Sequence, residues 1–281
     1  MRFDDIDLLD PLADHDLNVG LLGFWLALES TAGGSVWYDL CGRSHAAIQG
    51  STGSSPAVTW GSDDDRGVYG LSSSTSQNNI PWVLVPTNPT LNSLGTGPGT
   101  ILGRFRTTSH NQNERIICFG SNTTWQYFYN SSPQKMALFN GGNVYSSNTT
   151  PTLNEWHTGG YSYAGGNAAF YWDGQPDGTA APGSMASASG LDLNIGSDVV
   201  AGTLDYLLGD LAWVAIWNRE LSAHEHWQWE EESRFGFPSV VRRSPRRLRA
   251  YLAASPPPPN CGSSLAGCGF LPAMVRVALG N

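Results

Sequence analysis

Residues 191–238 carry the strongest signal of the fold and read LDLNIGSDVVAGTLDYLLGDLAWVAIWNRELSAHEHWQWEEESRFGFP. We interpret two segments within them as strands with a repeat of two residues. Leu193 and Ile195 then share one strand face, and Val214 and Ile216 share another, as half-buried antiparallel strands require. The remainder has the spacing of an amphipathic helix that begins at Ser222 and stops before Gly236 and Pro238. Two strands followed by one capped helix therefore close the main folded part of the chain.

The start of that helix and the strand before it carry separate signals. Ser222 and Glu225 have the spacing of a capping box, in which each side chain bonds the backbone amide of the other residue. In the preceding strand, Val214 and Ile216 lie on one face, because side chains alternate along a strand. That face is expected to pack against the core.

Two upstream segments complete the pattern. Residues 20–44 (GLLGFWLALESTAGGSVWYDLCGRS) read as an apolar strand followed by a Tyr-Asp-Leu loop. Residues 156–163 (WHTGGYSY) and 169–174 (AFYWDG) read as a Trp-His strand followed by an aromatic-Asp-Gly hairpin. With the Asn-Arg-Glu-Leu-Ser of residues 218–222, these segments resemble the concanavalin A-like, laminin-G-like jelly rolls. The resemblance covers roughly residues 20–238.

The resemblance implies an all-β fold: a two-sheet antiparallel jelly-roll sandwich with one short C-terminal helix. Gly 33 and Pro 17 spread along the chain suit many short strands joined by turns. We therefore expect three parts. These are an extended acidic N-terminal arm at residues 1–18, a jelly-roll domain at residues 19–238 and an extended C-terminal arm at residues 239–281.

Charge and hydropathy exclude several classes of function. The net charge of −9 argues against nucleic-acid binding, which needs a basic surface to neutralise phosphates. No apolar run is long enough to cross a bilayer, so we expect no membrane insertion. The first residues, MRFDDIDLLDPLADHD, lack a basic start and an apolar core, so we expect no secretory signal peptide and synthesis in a host cytoplasm.

The C-terminal arm changes character along its length. It is basic at residues 240–249 (VVRRSPRRLR), has four consecutive prolines at residues 256–259, and is apolar and Gly-rich at residues 260–281. Consecutive prolines favour a stiff, extended segment. This order predicts an assembly arm that docks on a neighbouring protein, and the alternative is a mobile extension without a role. The candidate contact residues are Arg242, Arg243, Arg246, Arg247, Phe270 and Leu271.

Cysteine is sparse, so we expect no disulfide framework. Cys41 and Cys118 lie within the predicted sandwich and are interpreted as small apolar residues that do not bridge each other. Cys261 and Cys268 enclose a short loop in the C-terminal arm. A disulfide between these two is compatible with their spacing but is not required by it.

The resemblance also extends to glycoside hydrolases, so a catalytic function has to be considered. Those enzymes need two carboxylates across the scissile bond, and in this superfamily they come from a strand with acids at alternate positions. No such strand pattern is present. Residues 63–65 are three aspartates in a polar loop, and residues 230–232 are three glutamates on the helix. The sequence therefore favours a protein that is not an enzyme.

The resemblance also implies a candidate cofactor. Laminin-G-like modules often hold Ca²⁺ at the rim of the sandwich, through carboxylate and carbonyl oxygens. The candidate ligands are Asp39, in the Tyr-Asp-Leu loop, together with Asp63, Asp64 and Asp65. The alternative is a turn-forming role for Asp39 and solvated loop positions for the other three.

Aromatic residues give the candidate glycan site. Trp125, Tyr127 and Tyr129 alternate, so they share one face of a strand. If that face points outward, the three rings form a platform on which a sugar stacks. If it points inward, they belong to the core, where large aromatic side chains are common.

Three functional hypotheses follow. The first is a non-enzymatic structural or adhesion protein on the surface of a phage virion, in capsid decoration or associated with the tail. Its partners would be copies of itself, a capsid or tail protein, and cell-surface glycans. The alternative is a secreted, extracellular lectin-like module that binds carbohydrate or matrix. The third hypothesis is a glycoside hydrolase.

Overall fold

The computed structural model describes residues 9–11, 15–26, 36–37, 39–41, 46–49, 58–63, 68–73, 82–110, 113–120, 124–200, 203–234 and 241–243. Two large antiparallel sheets stack face to face over a shared core, as the sequence predicted for a jelly-roll sandwich. We call them the front sheet and the back sheet. The all-β class and the single longer helix near the C-terminal side are thereby confirmed.

The front sheet has eight strands. From one edge to the other they are β12 (Asn143–Ser146), β11 (Lys135–Asn140), β10 (Thr124–Asn130), β9 (Glu114–Phe119), β16 (Leu193–Ile195), β7 (Trp82–Val85), β4 (Ala46–Gln49) and β3 (Val36–Trp37). Four of the seven neighbouring pairs in this order are consecutive strands, and the other three, β9–β16, β16–β7 and β7–β4, are joined across long connections. Long connections of this kind are expected for a jelly roll.

The back sheet is built around β19. In spatial order its strands are β15 (Gln175–Ala180), β14 (Asn167–Trp172), β13 (His157–Ala164), β8 (Gly99–Thr107), β19 (Gly209–Trp217), β6 (Val68–Ser73) and β5 (Val58–Asp63). A further strand, β2 (Leu21–Leu26), pairs with the second half of β19. The two runs that decide the fold from the sequence, β16 and β19, thus lie near the centres of opposite sheets.

Two small strand pairs and three helical segments complete the fold. The pairs are β1 (Leu9–Pro11) with β20 (Val241–Arg243), and β17 (Ser197–Val200) with β18 (Thr203–Tyr206). The helices are α1 (Pro89–Asn92), α2 (Ala223–Arg234) and a 3-10 turn at Asp16–Asn18. The β17–β18 pair contacts β9 and β7 at the front sheet.

The space between the sheets holds the main core, whose residues are almost wholly removed from water. Val214 and Ile216 of β19 point into it, as their alternation predicted, and so do Leu193 and Ile195 of β16. Burying each such side chain contributes about 1.5–3 kcal/mol relative to leaving it exposed. Apolar burial between the sheets is therefore the main term that holds them together.

A second core covers the outer face of the back sheet. Helix α2 places Trp229 against Phe24 of β2, with ring centroids 5.2 Å apart. Leu17 of the 3-10 turn joins the same cluster, and its carbonyl accepts a bond from Nε1 of Trp217 at 2.7 Å. The protein therefore has three layers at this point, namely helix, back sheet and front sheet.

The predicted capping box is present at the start of α2. The backbone N–H of Ser222 donates to Glu225 Oε2 at 2.8 Å, and the N–H of Glu225 donates to Ser222 Oγ at 3.3 Å. Arg219 of the Asn-Arg-Glu-Leu-Ser segment binds Glu225 at 2.6 Å and donates to the carbonyl of Val19 at 2.6 Å. The segment therefore fixes both the helix start and the chain entering β2.

Helix α2 is also tied to the back sheet by a buried imidazole. His226 stacks on Tyr171 and lies 2.8 Å from the hydroxyl of Ser162 through Nε2. Both Ser162 and His226 are buried, and burial lowers the pKa of His226 to about 3. This hydroxyl–imidazole pair is closed to solvent, so it serves as a packing contact.

The boundaries of the two arms need correction. Leu17 is buried in the second core, so the folded domain begins before residue 19. Residues 9–11 and 241–243 are not isolated extended segments, because β1 and β20 pair with each other in antiparallel register, with Asp10 opposite Arg242 and Leu9 opposite Arg243. The other predicted assembly residues, Arg246, Arg247, Phe270 and Leu271, lie outside the described residues, as do Cys261 and Cys268.

Strand β15 was not predicted from the sequence. Its residues, QPDGTA, carry Pro, Asp and Gly and read as a turn. It forms the edge of the back sheet, where a strand needs hydrogen bonds on one side only, so proline is tolerated. Cys41 and Cys118 are both thiols and do not bridge each other, as expected.

Candidate ligand-binding site

Polar side chains gather at one end of the space between the sheets, which is otherwise apolar. Here β8 and β10 end and β9 and β13 begin. Glu114 lies directly opposite Tyr129, and His157 lies directly opposite Phe105 of the core. Opposed residues of an antiparallel pair project to the same face, so these side chains point between the sheets. We call this end the mouth and define it by Thr107, His110, Glu114, Tyr129, His157, Trp172 and Asp173.

Glu114 is the deepest acid of the mouth. Its residue is 0% exposed, and its Oε2 accepts a bond from the hydroxyl of Thr107 at 2.8 Å, across the gap between the sheets. Its other oxygen, Oε1, has no hydrogen-bond partner within the protein. Burial raises the pKa of Glu114 to about 8, against smaller opposing effects of the bonds from Thr107 and Leu208. The group is therefore a neutral carboxylic acid at pH 7.

Tyr129 and His110 form the aromatic side of the mouth nearest the front sheet. Their rings stack with centroids 4.8 Å apart and an interplanar angle of 20°. The hydroxyl of Tyr129 and Nε2 of His110 are both buried without a hydrogen-bond partner in the protein. Burial, and then the nearby Glu114, raise the pKa of Tyr129 to about 12, so its hydroxyl keeps its proton.

The opposite side of the mouth belongs to the back sheet. His157 binds Asp173 through Nδ1 at 2.9 Å, and its ring lies 4.6 Å from that of Trp172. Asp173 also accepts the backbone N–H of Thr158 at 2.8 Å, which fixes its position at the hairpin turn. Nε2 of His157 is buried without a hydrogen-bond partner in the protein, and Glu155 lies 3.9 Å from it.

The hairpin turn that carries Asp173 is set by backbone conformation. Asp173 and Gly174 both have positive φ, 48° and 77°, which an Asp-Gly pair accepts more readily than other residues. A Cβ at Gly174 would lie 3.0 Å from the Cβ of Glu230 on helix α2. Glycine therefore lets the turn pack on the helix, and that packing holds Asp173 against His157.

Four buried polar atoms without a hydrogen-bond partner in the protein thus lie at this end of the sandwich. They are Glu114 Oε1, Tyr129 Oη, His110 Nε2 and His157 Nε2. Leaving a buried polar atom unbonded costs about 1–3 kcal/mol, so native proteins keep few of them. Several such atoms together, ringed by aromatic side chains, are the arrangement expected of a site that bonds a polar ligand.

The aromatic platform predicted from the sequence is not on the surface. Trp125, Tyr127 and Tyr129 are all buried between the sheets, because their face of β10 points inward. Trp125 donates from Nε1 to the carbonyls of Gly95 and Ala186, at 3.2 and 3.1 Å. Of the two orientations that the sequence left open, the structure shows the inward one. Of the three rings, Tyr129 alone belongs to the mouth.

Of the four calcium candidates, the structure describes the side chain of Asp39 alone. Oδ1 of Asp39 accepts the backbone N–H groups of Phe24 and Cys41 at 2.8 and 2.9 Å, so this carboxylate forms a turn, and it does not fit a calcium ligand. Asp63 ends β5, and Asp64 and Asp65 lie outside the described residues. Among the residues that the structure does describe, no group of three His, Cys, Asp or Glu could hold a metal ion.

A second charged cluster lies on the outer face of the front sheet. Arg115 binds Asp205 at 2.8 Å and approaches Asp198 at 3.7 Å, and its guanidinium lies 4.3 Å from the ring of Phe128. Asp198 and Asp205 are directly opposite each other in the β17–β18 pair. Arg115 lies between these two acids and is almost fully buried, so the cluster fastens the hairpin to β9.

Apart from Tyr129, the residues of the mouth were missed in the sequence for a specific reason. The sequence indicates a strand at residues 156–163 and a hairpin at residues 169–174, but the site needs the contact between the two. With Trp172 opposite Gly159, Asp173 falls beside Thr158 and His157. Because the register follows from an Asp-Gly turn, this half of the site could have been predicted from the sequence. The half with Glu114 and Tyr129 depends on the register between β9 and β10, which shifts twice along the pair. Such irregularities are not visible in the sequence pattern.

The fold is an antiparallel jelly-roll sandwich with unbonded polar atoms at one end of its interior. Comparison with protein families agrees with this fold class. The profile of the concanavalin A-like lectin/glucanases superfamily matches residues 81–225, just over half of the chain. The chain belongs to this superfamily. A comparison with curated protein sequences gave no match.

Solved structures with the same fold include enzymes and binding domains. The sialidase of Trypanosoma rangeli, in complex with 2,3-difluorosialic acid, superposes with a TM-score of 0.54 at 15% identity, covering 76% of this chain and 33% of that chain. The binding domain of botulinum neurotoxin serotype D/C gives 0.54 at 14%, covering 77% and 53%. The binding domain of botulinum neurotoxin DC in complex with SialylT gives 0.55 at 15%, covering 77% and 52%.

These likenesses concern the fold alone. The chain spans about one third of the sialidase and about half of the neurotoxin binding domains. Helices of the described segments are all too short or too polar to cross a membrane.

Proposed function

We propose that this chain is a non-enzymatic glycan-binding module that holds a saccharide at the mouth. The observation that carries the proposal is the set of four buried, unbonded polar atoms beside the rings of Tyr129, His110 and Trp172. The superfamily and the glycan complexes of two fold relatives support it. Fold similarity alone would not be enough.

The chemistry of the mouth suits hydroxyl groups. Neutral Glu114 both donates and accepts, the hydroxyl of Tyr129 does the same, and each imidazole offers a donor or an acceptor according to its tautomer. A sugar hydroxyl also donates and accepts, so one ring with neighbouring hydroxyls can satisfy several of these atoms. The aromatic rings then contact the apolar C–H faces of the sugar.

Removing the hydroxyl of Tyr129 is expected to weaken binding without weakening the fold. In Tyr129→Phe the ring and its stacking on His110 remain, and only the atom without a protein partner is lost. One hydrogen bond is worth about 0.5–1.5 kcal/mol, so affinity should fall about three- to tenfold. Titration calorimetry with the best glycan from an array measures this change, and the melting temperature should be equal or higher.

Tyr161→Phe is the matched control. Tyr161 is also fully buried, and its hydroxyl also lacks a partner, but it lies in the middle of the core against Phe170. This variant should bind with unchanged affinity. If both variants bind like the parent protein, or if the array shows no glycan bound at all, the mouth is not a saccharide site.

We also propose that the module is displayed on a particle such as a phage virion, with the C-terminal arm as its anchor. The observation that favours this role is the β1–β20 pair, which places the N-terminal segment beside the start of the basic segment. The exposed jelly roll would then carry the glycan site outward. The virion location and the capsid or tail partner are proposals that follow from the order basic, stiff, apolar in residues 240–281.

Deleting residues 244–281 keeps β20 in place and tests the anchor directly. The full chain is expected to form oligomers or to bind particles, whereas the deletion should be a monomer with an unchanged melting temperature. Analytical ultracentrifugation of both proteins measures their mass. Two clean monomers would rule out self-assembly through this segment, and a large fall in melting temperature would show that the segment belongs to the domain.

A further inference from the structure

The charges around the mouth point to the class of saccharide, and this inference rests on the proposed glycan site. We infer that the mouth selects neutral, hydroxyl-rich saccharides and rejects sugars that carry a carboxylate, such as sialic acid or uronic acids. The selection arises from the placement of basic side chains on the outer faces of both sheets and of acidic side chains at the entrance.

Every arginine and lysine on the described strands of this end faces away from the mouth. Arg104 and Arg106 flank the inward-facing Phe105, so strand alternation turns both outward. Arg115 follows the inward-facing Glu114, and Lys135 precedes the inward-facing Met136. None of the four can donate a charged hydrogen bond to a ligand between the sheets.

The three arginines are also already neutralised. Arg104 binds Glu230 at 3.4 Å, and Arg106 binds Asp210 at 2.8 Å through Nε. Arg115 binds Asp205 at 2.8 Å. Tight recognition of a carboxylate normally uses a free arginine in bidentate geometry. The described part of the mouth offers no such group.

Acids, in contrast, line the entrance. The side chain of Glu155 is 64% exposed and that of Asp173 is 35% exposed, and both lie beside His157. They repel a carboxylate that approaches the mouth, and the net charge of −9 on the whole chain acts in the same direction. A neutral sugar meets no such repulsion.

The test is an array of neutral oligosaccharides printed beside their acidic counterparts, including lactose and sialyllactose. Affinities of the neutral binders and their acidic partners are then measured by calorimetry at about 0.05 M and about 0.5 M NaCl. We expect each acidic partner to bind about tenfold more weakly at low salt, and this gap to narrow at high salt, because salt screens exposed charges. Glu155→Gln should narrow the gap at low salt and leave affinity for the neutral sugar unchanged.

The outcomes separate the two claims. Tighter or equal binding of sialyllactose overturns the selection for neutral saccharides but leaves the glycan site standing. If the preference for neutral sugars changes neither with salt concentration nor with Glu155→Gln, the proposed electrostatic cause of the selection is overturned. Absence of binding to every printed saccharide overturns the proposed function itself.

Discussion

Trp125→Ala is expected to destabilise the fold by about 3–5 kcal/mol, the usual cost of removing a fully buried tryptophan from a core. The ring is 0% exposed, stacks on Tyr161 at 6.3 Å and meets Tyr163 edge-on at 5.6 Å. Its loss also leaves the carbonyls of Gly95 and Ala186 without their shared donor. Chemical denaturation, read by tryptophan fluorescence or circular dichroism, measures the free energy of unfolding.

This result distinguishes a core residue from a sugar-stacking platform. A platform ring would lower glycan affinity and leave stability nearly unchanged. Trp227 supplies the matched control, because it is 45% exposed on helix α2, and Trp227→Ala should change stability by no more than about 0.5 kcal/mol. Equal stabilities of the two variants would contradict the inward orientation of β10.

Glu114→Gln is expected to raise the free energy of unfolding at neutral and alkaline pH, where the buried carboxyl makes the parent protein less stable. The carboxyl of an unfolded chain loses its proton near pH 4.5, whereas the buried group keeps it to about pH 8. Between these values the native state binds more protons than the unfolded state, so stability falls as pH rises and levels off above pH 8. Each unit of pKa difference corresponds to about 1.4 kcal/mol, so the total effect amounts to several kcal/mol.

Urea denaturation of the parent and of Glu114→Gln at intervals from about pH 5 to about pH 9 measures this term. The difference in stability, variant minus parent, should rise steadily with pH up to the pKa of the folded protein and then level off. Gln keeps the shape of the side chain and accepts the bond from Thr107, so packing is conserved. A difference that does not vary with pH would show that Glu114 titrates normally in the folded protein.

The pKa shift of His226 changes stability with pH in the opposite direction, and it does not affect the comparison between parent and variant. Its pKa is lowered by burial to about 3, so the unfolded chain binds an extra proton below pH 6.5 and stability falls as pH is lowered towards 3. Parent and variant share this loss, so it cancels in their difference.

Much of the fold could be predicted because its signals are local. The shared face of Val214 and Ile216 in β19 and the capping box at Ser222 depend on near neighbours in sequence, and the structure confirms both. The expectation that β19 is half-buried is wrong, because its other face packs in the second core. Strand β15 could not be predicted in the same way. Its Pro and Gly are tolerated because it lies at the edge of the sheet, and the sequence does not show that position.

The site could be predicted far less well. Whether the face with Tyr127 points inward depends on the partner sheet, and alternation alone gives the same pattern for either direction. Nothing in the sequence distinguishes Glu114 from the other acidic residues. Its place opposite Tyr129 and its bond from Thr107 follow from the strand register and the packing of the sheets. Unbonded buried atoms are a property of packing, so they become visible only in three dimensions.

The β1–β20 pair also determines how the molecule responds to a pulling force. In its antiparallel register Leu9 lies opposite Arg243, so the chain leaves both strands at the same end of the pair. Tension between the two termini therefore peels the ladder apart one hydrogen bond at a time, instead of shearing all its bonds together. The pair is expected to open at low force, and only then does the load reach β2 and β19 in the centre of the back sheet.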